Sequence, residues 1–434
     1  MHKLAAFIFR RDLRLEDNTG LLKALKESEK VACCFFLDPK VRDSKYFSAN
    51  AFQFMAESLI ELNSELKKRK SRLFVFKETP EAAIKRLAKT GVGAVYVNTD
   101  YTPYSIRRDK GIKEACDTAG IYFDSSFDYL LTEPEKVRTG QGTPYKVFTP
   151  FYNKAKLVEI EVPKKNSFTN YLGKDIDGAL ECEKIEFIKN KELYVHGGRK
   201  NCLGILSGLK KFEKYASEKD IPALEGTTGL SAHNKFGTCS IREVYYAIRS
   251  QLGECELLRQ LYWRDFFTYV AYHFPYVFGK PLHDKEMRWQ YDSSHLEAWE
   301  KGQTGFPIVD AGMRELNATG FMHNRVRMVV ASFLTKDLHI DWRDGERYFA
   351  SKLVDYDPSV NNGNWQWAAG CGVDTKFRIF NPWTQQERFD PEAIYIKRWI
   401  PELRKSEPEV IHNIHAEPVR GYAKPIIEHD KERR

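Results

Sequence analysis

The change in hydrophobic pattern near residue 130 constrains the fold more than any other feature of the sequence. Before it, short apolar runs such as VACCFFL alternate with amphipathic segments such as AFQFMAESLIELNSELKKRK. This alternation predicts a doubly wound, Rossmann-like parallel sheet with helices on both faces. After residue 200, long amphipathic segments follow one another without a convincing strand, which predicts an all-α domain. We therefore predict an α/β domain at 1–130, an interdomain linker at 131–200 and a helical domain at 201–434.

Composition excludes several classes of protein. The eight cysteines show no CxxC pair and no metal-ligand spacing, so we expect free thiols in a reducing compartment and no metal site. No apolar run approaches the roughly 20 residues of a membrane span, and the N-terminal apolar stretch is too short for a signal peptide. The net charge of +8 favours polyanionic partners only weakly. We expect a cytoplasmic protein.

Polar residues follow three of the predicted strands. Arg10-Arg11-Asp12 follows the first strand, Asp38 the second and Asp100 the fourth. Ligands of parallel sheets bind beyond the carboxyl ends of the strands. These residues are therefore candidates for a binding site, although the chain has no GxGxxG motif and no P-loop.

Hydroxyl groups are concentrated in the segment Thr227-Thr228-Gly229-Leu230-Ser231. Such a segment can bind phosphate or ribose oxygens through its side chains and backbone N–H groups. An ordinary loop that caps a helix N-terminus has the same composition. The segment alone leaves both interpretations open.

The stretch from Phe321 to Trp367 combines polar side chains with indoles. Arg327 with Asp355 and Asp357 is either a structural ion pair or a polar clamp on a heterocycle. The Asn-Asn-Gly segment at 361–363 is typical of a turn.

All eight tryptophans lie after residue 260. Trp289, Trp342 and Trp365 could pack in a core or form a line in space, and sequence spacing leaves this open. Trp263, Trp367 and Met328 could form a platform on which bases stack.

Two arginines near these residues, Arg325 and Arg378, are candidates for phosphate contacts. Isolated arginines are more often solvated surface charges, so the residue type alone does not decide between the two.

Several motifs follow one another in a fixed order along the chain. They are FRRDLRLEDN, EGTTGLS, WRDFF, TGFPIVDAGMREL, GFMHNRVRM, SFLTKDLHIDWRDGE, NNGNWQWAAG and FRIFNP. Together they resemble DNA photolyases of the photolyase/cryptochrome family, most closely the microbial class I branch that repairs cyclobutane pyrimidine dimers. The resemblance extends from the N-terminus to KPIIEH near the C-terminus.

The resemblance implies an N-terminal antenna-chromophore domain and a C-terminal domain that holds FAD in a U-shaped conformation. Asn361 would face the flavin N5, where photolyases have asparagine, plant cryptochromes aspartate and animal cryptochromes cysteine. The other FAD ligands implied are Tyr215, Thr227, Thr228, Leu230, Ser231, Arg264, Asn324, Arg327, Asp355 and Asp357.

The resemblance also implies a reaction: light excites fully reduced FADH⁻, which passes one electron to a dimer flipped out of DNA. The cyclobutane ring splits and the electron returns. The protein would be a deoxyribodipyrimidine photolyase, a carbon–carbon lyase that acts as a monomer on single- or double-stranded UV-damaged DNA, nucleoid-associated in a prokaryote. Trp365, Trp342 and Trp289 would pass electrons from the surface to the flavin. The dimer pocket would contain Gln260, Trp263, Asn324, Arg325, Met328, Trp367 and Arg378.

Gln260 departs from the class I pattern, which has glutamate three residues before the Trp-Arg pair. Glutamine donates a hydrogen bond without titrating, and it occurs in the (6-4) photolyase and animal cryptochrome branch. That branch, however, has a His-His pair where this chain has His323-Asn324. We predict repair of cyclobutane dimers, with a (6-4) photolyase or a cryptochrome-type photoreceptor without repair activity as alternatives.

The antenna chromophore is predicted from Asp100 and Lys235. The Asn-Glu pair of folate-binding photolyases is absent, and Pro103-Tyr104 falls in that neighbourhood. Asp100 and Lys235 resemble the deazaflavin- or flavin-binding type. We predict 8-hydroxy-5-deazaflavin or a second flavin rather than methenyltetrahydrofolate, held by Arg10, Asp38, Asp100 and Lys235.

Overall fold

The computed structural model describes residues 1–283, 288–374 and 378–432. The chain divides into two compact units: unit 1 contains Met1–Lys189, Val195–Lys210 and Gly229–Pro275, and unit 2 contains Asn190–Tyr194, Lys211–Thr228 and Tyr276–Arg434. Part of the predicted helical domain therefore belongs to unit 1, and a short piece of the predicted linker belongs to unit 2. The functional boundaries at 130 and 200 stay predictions.

Unit 1 contains the parallel sheet that the sequence predicts. Its strands are β1 (Ala5–Phe9), β2 (Val31–Phe36), β3 (Leu73–Phe76), β4 (Ala94–Asn98) and β5 (Tyr122–Ser126). They pair in the order β3-β2-β1-β4-β5, all parallel, with Phe7 opposite both Cys33 and Tyr96. The first four strands are buried almost throughout because their runs are apolar on both faces. The predicted combination of an α/β sheet and a helical C-terminal half is confirmed.

Seven α-helices lie before residue 210 in the described chain. They are α1 (Thr19–Glu27), α2 (Pro39–Arg42), α3 (Ala49–Lys68), α4 (Pro80–Lys89), α5 (Pro103–Ala119), α6 (Phe148–Ala155) and α7 (Arg199–Ser207). At the start of α1, the Asn18 side chain accepts a hydrogen bond from the Leu21 N–H (3.1 Å). Gly120 ends α5 in the left-handed region with φ 67°. Asparagine is a favoured N-cap residue and glycine a favoured residue at a helix C-terminus, so both ends follow from residue type.

After residue 210 the described chain is helical and contains no strand. A π-helix, Phe333–Asp337, directly follows α14. The α-helices are α8 (Tyr215–Glu218), α9 (Ser231–Phe236), α10 (Ile241–Leu252), α11 (Glu256–His273), α12 (Ser293–Lys301), α13 (Pro307–Thr319), α14 (Asn324–Ser332), α15 (Trp342–Lys352), α16 (Pro358–Ala369), α17 (Pro382–Phe389), α18 (Ile394–Trp399), α19 (Pro408–His412) and α20 (His429–Glu432).

The predicted turn at 361–363 is wrong, since these residues lie inside α16. The Asn362 amide is buried and donates to the Val277 carbonyl (3.0 Å) and to the Glu346 carboxyl (3.2 Å). Turn-forming residues favour turns because their side chains bond the local backbone. Here the side chain bonds distant parts of unit 2 instead, so tertiary contacts override the local preference.

All eight cysteines are free thiols, and seven of them are buried. Burial raises the pKa of Cys33 well above its usual value, and it also raises the pKa of Cys34. Cys255, which precedes α11, is partly exposed. Within the described ranges, no helix is long and apolar enough to cross a membrane.

Candidate functional site

The carboxyl edge of the sheet carries a network of charged side chains in unit 1. Arg10, which follows β1, donates a hydrogen bond to the Asp109 carboxylate. Asp100, which follows β4, accepts one from Arg11 (3.3 Å). Burial alone would raise the pKa of Asp100, but the neighbouring guanidinium groups, that of Arg11 above all, hold it well below its usual range. The candidates Arg10 and Asp100 thus belong to one network of fixed charges.

The two remaining sheet-edge candidates have different surroundings. Asp38 caps α2 and accepts hydrogen bonds from the Lys40 N–H (3.0 Å) and the Tyr104 hydroxyl (3.2 Å). The Lys235 ammonium lies 3.5 Å from the centroid of the Phe236 ring. The Lys235 carbonyl accepts a hydrogen bond from Arg11 Nε (3.3 Å). Arg11 therefore connects Lys235 to Asp100, whereas Asp38 lies among other partners.

Tyr129 contacts two guanidinium groups of unit 1. Arg11 lies 4.1 Å and Arg264 3.8 Å from the centroid of the Tyr129 ring. Arg264 also donates to the Tyr129 carbonyl (3.1 Å) and to the adjacent Asp265 carboxyl (3.3 Å). Burial raises the pKa of Asp265 to about 7 even though Arg264 lowers it. The sequence did not indicate Tyr129, because its role depends on residues distant in the chain.

Helix α11 presents the candidates Gln260 and Trp263 from unit 1. The Gln260 amide donates a long hydrogen bond to the Glu256 carbonyl (3.4 Å) of its own helix. The Trp263 ring stacks on Phe148 with centroids 3.6 Å apart and an angle of 8° between the planes. Phe148 therefore covers one face of Trp263, and the Phe267 ring also lies close, with its centroid 5.6 Å from that of Trp263.

The hydroxyl-rich segment precedes α9, and the units divide it: Thr227 and Thr228 belong to unit 2, Leu230 and Ser231 to unit 1. Leu230 is the N-cap residue of α9, and its own side chain makes no capping hydrogen bond. The role of the segment stays a prediction. Tyr215 begins the short helix α8 in unit 2.

Arg327 and Asp355 form an ion pair in unit 2. The Arg327 guanidinium donates to both Asp355 oxygens (3.1 and 3.3 Å) and to the Met322 carbonyl (2.7 Å). The Asp357 carboxylate accepts the N–H of Ser359 (3.0 Å) at the start of α16. Asp357 is thus the N-cap residue of α16. The predicted grouping of Arg327 with Asp355 agrees with the structure.

Asn361 is buried in α16 of unit 2. Its amide donates to the Glu346 carbonyl of α15 (3.0 Å). Burial raises the pKa of Glu346 to about 7. The hydrogen bond to the Glu346 carbonyl fixes the orientation of the Asn361 side chain.

The N-terminal half of α14 brings together three candidates for substrate contact. The Asn324 amide lies 3.9 Å from the Met328 sulfur. Arg325 pairs with Asp220 (2.9 Å), and its guanidinium lies 4.2 Å from the Phe389 ring centroid. Arg325 is therefore already neutralised by a carboxylate and differs from the isolated surface charge that its residue type suggested.

His323, the N-cap residue of α14, is a polar residue that sequence reasoning did not assign to the site. Its Nδ1 accepts the Arg325 N–H (3.2 Å), so the proton of the neutral ring is on Nε2. Burial lowers the pKa of His323 to about 4. Its Nε2 is buried and has no hydrogen-bond partner among the described residues. His323 can therefore offer one N–H to a polar ligand.

Of the three tryptophans predicted to carry electrons, Trp365 and Trp342 are buried in the core of unit 2, and Trp289 is partly exposed against the same core. Trp365 packs edge-on against Phe349 with ring centroids 5.0 Å apart. Trp299 also lies edge-on to Trp365, at 6.2 Å, and is fully buried. The structure therefore adds Trp299 to the indoles near Trp365.

The last two candidates lie close together in unit 2. The Arg378 guanidinium lies 5.5 Å from the Trp367 ring centroid and pairs with Asp374 (2.8 Å). Phe377 of the FRIFNP motif lies outside the described residues. In the described part of the chain, no group of three or more histidine, cysteine, aspartate or glutamate side chains could hold a metal ion.

Comparisons with known proteins identify the family. Residues 5–166 match the family model described as DNA photolyase, and residues 257–434 match the FAD binding domain of DNA photolyase. A deoxyribodipyrimidine photo-lyase of Synechococcus sp. is 36% identical over 98% of this chain and 93% of its own length.

Two solved structures are similar over nearly their whole length. The archaeal photolyase from Sulfolobus tokodaii with two FAD molecules is 45% identical with a TM-score of 0.92, covering 99% of this chain and 97% of its own. A bacterial class III photolyase from Agrobacterium tumefaciens is 32% identical with a TM-score of 0.93, covering 100% and 96%. The chain therefore belongs to the DNA photolyase/cryptochrome family.

Proposed function

We propose that this protein repairs UV-damaged DNA by splitting cyclobutane pyrimidine dimers in a light-driven reaction that uses FAD. The observation that carries the proposal is the match of residues 257–434 to the FAD binding domain of DNA photolyase. When bound, FAD supplies the electron that splits the dimer and accepts it back. The residues of the chain have to hold the cofactor, receive the lesion and deliver electrons.

The chemistry of the residues in unit 2 fits a flavin nucleotide. His323 offers a buried N–H, and Arg327 and Asp355 hold a guanidinium and a carboxylate together. A neutral donor together with a guanidinium and a carboxylate can bind the polar edge of a heterocycle. We assign FAD binding to Tyr215, Thr227, Thr228, Leu230, Ser231, Arg264, Asn324, Arg327, Asp355, Asp357 and Asn361.

We assign electron supply to Trp365, Trp342 and Trp289. Two of these indoles are buried and one is partly exposed, which suits a relay from the surface to a buried cofactor. Their packing in one hydrophobic core keeps the rings in place.

We assign the dimer pocket to Gln260, Trp263, Asn324, Arg325, Met328, Trp367 and Arg378. A dimer that stacks poorly in DNA costs less to flip out than an intact pair of bases. Trp263 stacks on Phe148, and Trp367 lies beside a guanidinium. Aromatic faces of this kind stack bases. Asn324 beside Met328 supplies an amide next to a soft apolar group.

We propose a second flavin as the antenna chromophore, held by Arg10, Asp38, Asp100 and Lys235. The second FAD molecule of the Sulfolobus tokodaii photolyase supports a flavin over a deazaflavin or a folate. The class I assignment also remains our proposal, because a class III photolyase is among the similar structures. The monomeric state and the cytoplasmic location are further predictions of the sequence.

The test is illumination of the reduced protein with oligonucleotides that carry either a cyclobutane dimer or a (6-4) photoproduct. We expect restoration of the dimer-containing strand only, with a dark sample as the control. Repair of the (6-4) photoproduct alone would show that the substrate is this lesion and not the cyclobutane dimer. Restoration of neither lesion by a protein that binds FAD would favour a photoreceptor of the cryptochrome type.

A further inference from the structure

Five side chains of unit 1 form a continuous series from the sheet edge to Arg264. Asp100 contacts Arg11 (3.3 Å), Arg11 lies over Tyr129, Tyr129 lies over Arg264, and Arg264 contacts Asp265 (3.3 Å). Acidic groups stand at both ends and two guanidinium groups flank the one aromatic ring. This series joins a candidate antenna residue to a candidate FAD ligand.

The guanidinium groups of Arg11 and Arg264 both lie over the Tyr129 ring, each about 4 Å from its centroid. The negative face of an aromatic ring attracts a cation, most strongly where both are shielded from water. Tyr129 is only 8% exposed, so both attractions operate away from solvent.

Further hydrogen bonds make Tyr129 the common partner of both arginines. Its hydroxyl accepts a hydrogen bond from Arg11, and its carbonyl accepts one from Arg264 (3.1 Å). Arg264 is held in addition by the Asn234 carbonyl (3.2 Å). A shift of Arg11 therefore reaches Arg264 through a single buried residue.

We propose that Tyr129 is a positioning residue that holds Arg264 in place for FAD. Through Tyr129, the affinity for FAD also depends on the ion pair between Asp100 and Arg11. This inference rests on the proposed assignment of Arg264 to FAD. Because coupling between two sites is reciprocal, binding of FAD changes the affinity of the sheet edge for its own ligand by the same factor.

The test measures the FAD dissociation constant of the full-length apoprotein by flavin fluorescence, together with the unfolding of each apoprotein in denaturant. Tyr129→Leu removes the aromatic ring. We expect the FAD Kd to rise by roughly 5- to 30-fold, which corresponds to the free energy of a buried cation–π contact. Tyr129→Phe keeps the ring over both arginines, and we expect its Kd within about two-fold of wild type because only the hydroxyl bond is lost.

Tyr101→Leu is the matched control. Tyr101 is buried in the same small apolar cluster as Tyr129, so its loss leaves a similar cavity. We expect it to destabilise the apoprotein while leaving the FAD Kd unchanged. An equal rise of Kd in Tyr101→Leu and Tyr129→Leu would show a general packing effect and overturn the proposal.

The dependence on the sheet edge is tested with Asp100→Asn alone and combined with Tyr129→Leu. Asp100→Asn removes the negative charge beside Arg11, and we expect at least about a two-fold rise in the FAD Kd, since contacts to charged groups are among the stronger ones. In the Tyr129→Leu background the same change should have no further effect.

Multiplying effects in the double variant would refute transmission through Tyr129. An unchanged Kd in Tyr129→Leu would refute the positioning role, while FAD binding by the wild type would leave the proposed function intact. If the wild-type apoprotein does not bind FAD, the proposed function itself fails.

Discussion

Gly345→Ala is expected to displace the indole of Trp365. A Cβ atom at position 345 of α15 would lie 2.5 Å from Cζ3 of Trp365 and 2.6 Å from Cδ2 of Leu334. Ordinary contact begins near 3.4 Å, so the indole has to move by about 1 Å in a close-packed interior. Electron transfer slows steeply with distance, so photoreduction of FAD should slow with this shift.

The stability of the variant follows from two opposing effects. Alanine is favoured over glycine inside a helix by about 1 kcal/mol. Overpacking a core costs typically about 1–3 kcal/mol. We therefore expect Gly345→Ala to lower the free energy of unfolding by roughly 0–2 kcal/mol, the difference between these two ranges.

Gly204→Ala in α7 is the control, because a Cβ there meets nothing within 4 Å. It should keep the helix gain of about 1 kcal/mol without the steric cost. The assays are denaturant unfolding of both variants and the rate of photoreduction of oxidised FAD under constant light. If Gly345→Ala is as stable as Gly204→Ala and photoreduces at the wild-type rate, the packing argument is refuted.

Three further predictions concern electron supply, the lesion and pH. Trp289→Phe should slow photoreduction of oxidised FAD while leaving dimer repair by pre-reduced enzyme intact. Trp399→Phe is the control and should change neither rate. Loss of repair in the pre-reduced Trp289→Phe variant would contradict the prediction that Trp289 acts only in electron supply. Gln260→Glu should raise the quantum yield of dimer repair, measured on an oligonucleotide with one dimer, because a carboxylic acid can donate a proton as well as a hydrogen bond. An unchanged yield would show that glutamine in place of the class I glutamate does not affect repair. Burial raises the pKa of the Glu315 carboxyl group from 4.5 to about 7. The folded protein therefore binds the carboxyl proton more tightly than the unfolded chain does. The contribution of protonated Glu315 to the free energy of unfolding is lost as pH rises from 4.5 to 7. Glu315→Gln should remove that decline from denaturant unfolding curves, and identical pH slopes in both proteins would contradict it.

The sequence predicts those parts of the fold that depend on neighbouring residues. The strands of unit 1 follow from apolar runs, and the Asn18 cap and the Gly120 end follow from local backbone chemistry. The grouping of Arg327 with Asp355, which have opposite charges, agrees with the ion pair in the structure.

Contacts between segments that are distant in the chain could not be predicted from the sequence. Phe148 covers Trp263, and nothing in either segment indicates that their rings stack. The Tyr194 ring, in the predicted linker, stacks on Phe321 of the same unit with centroids 3.9 Å apart. Asn362 lies in a helix because its amide finds buried partners that only the folded chain supplies. Each case depends on tertiary packing, which can override the local preference of a residue.

The distribution of thiols has a practical consequence for experiments on the repair cycle. The thiolate is the reactive form of cysteine. Burial shields seven of the eight thiols from reagents, and at Cys33 and Cys34 it also raises the pKa. Cys255 alone is partly exposed, and it immediately precedes the helix that carries Gln260 and Trp263. A maleimide dye added to the native protein should therefore label Cys255 without any cysteine being mutated. Its fluorescence would then follow the helix that carries the proposed lesion contacts while DNA binds and is released.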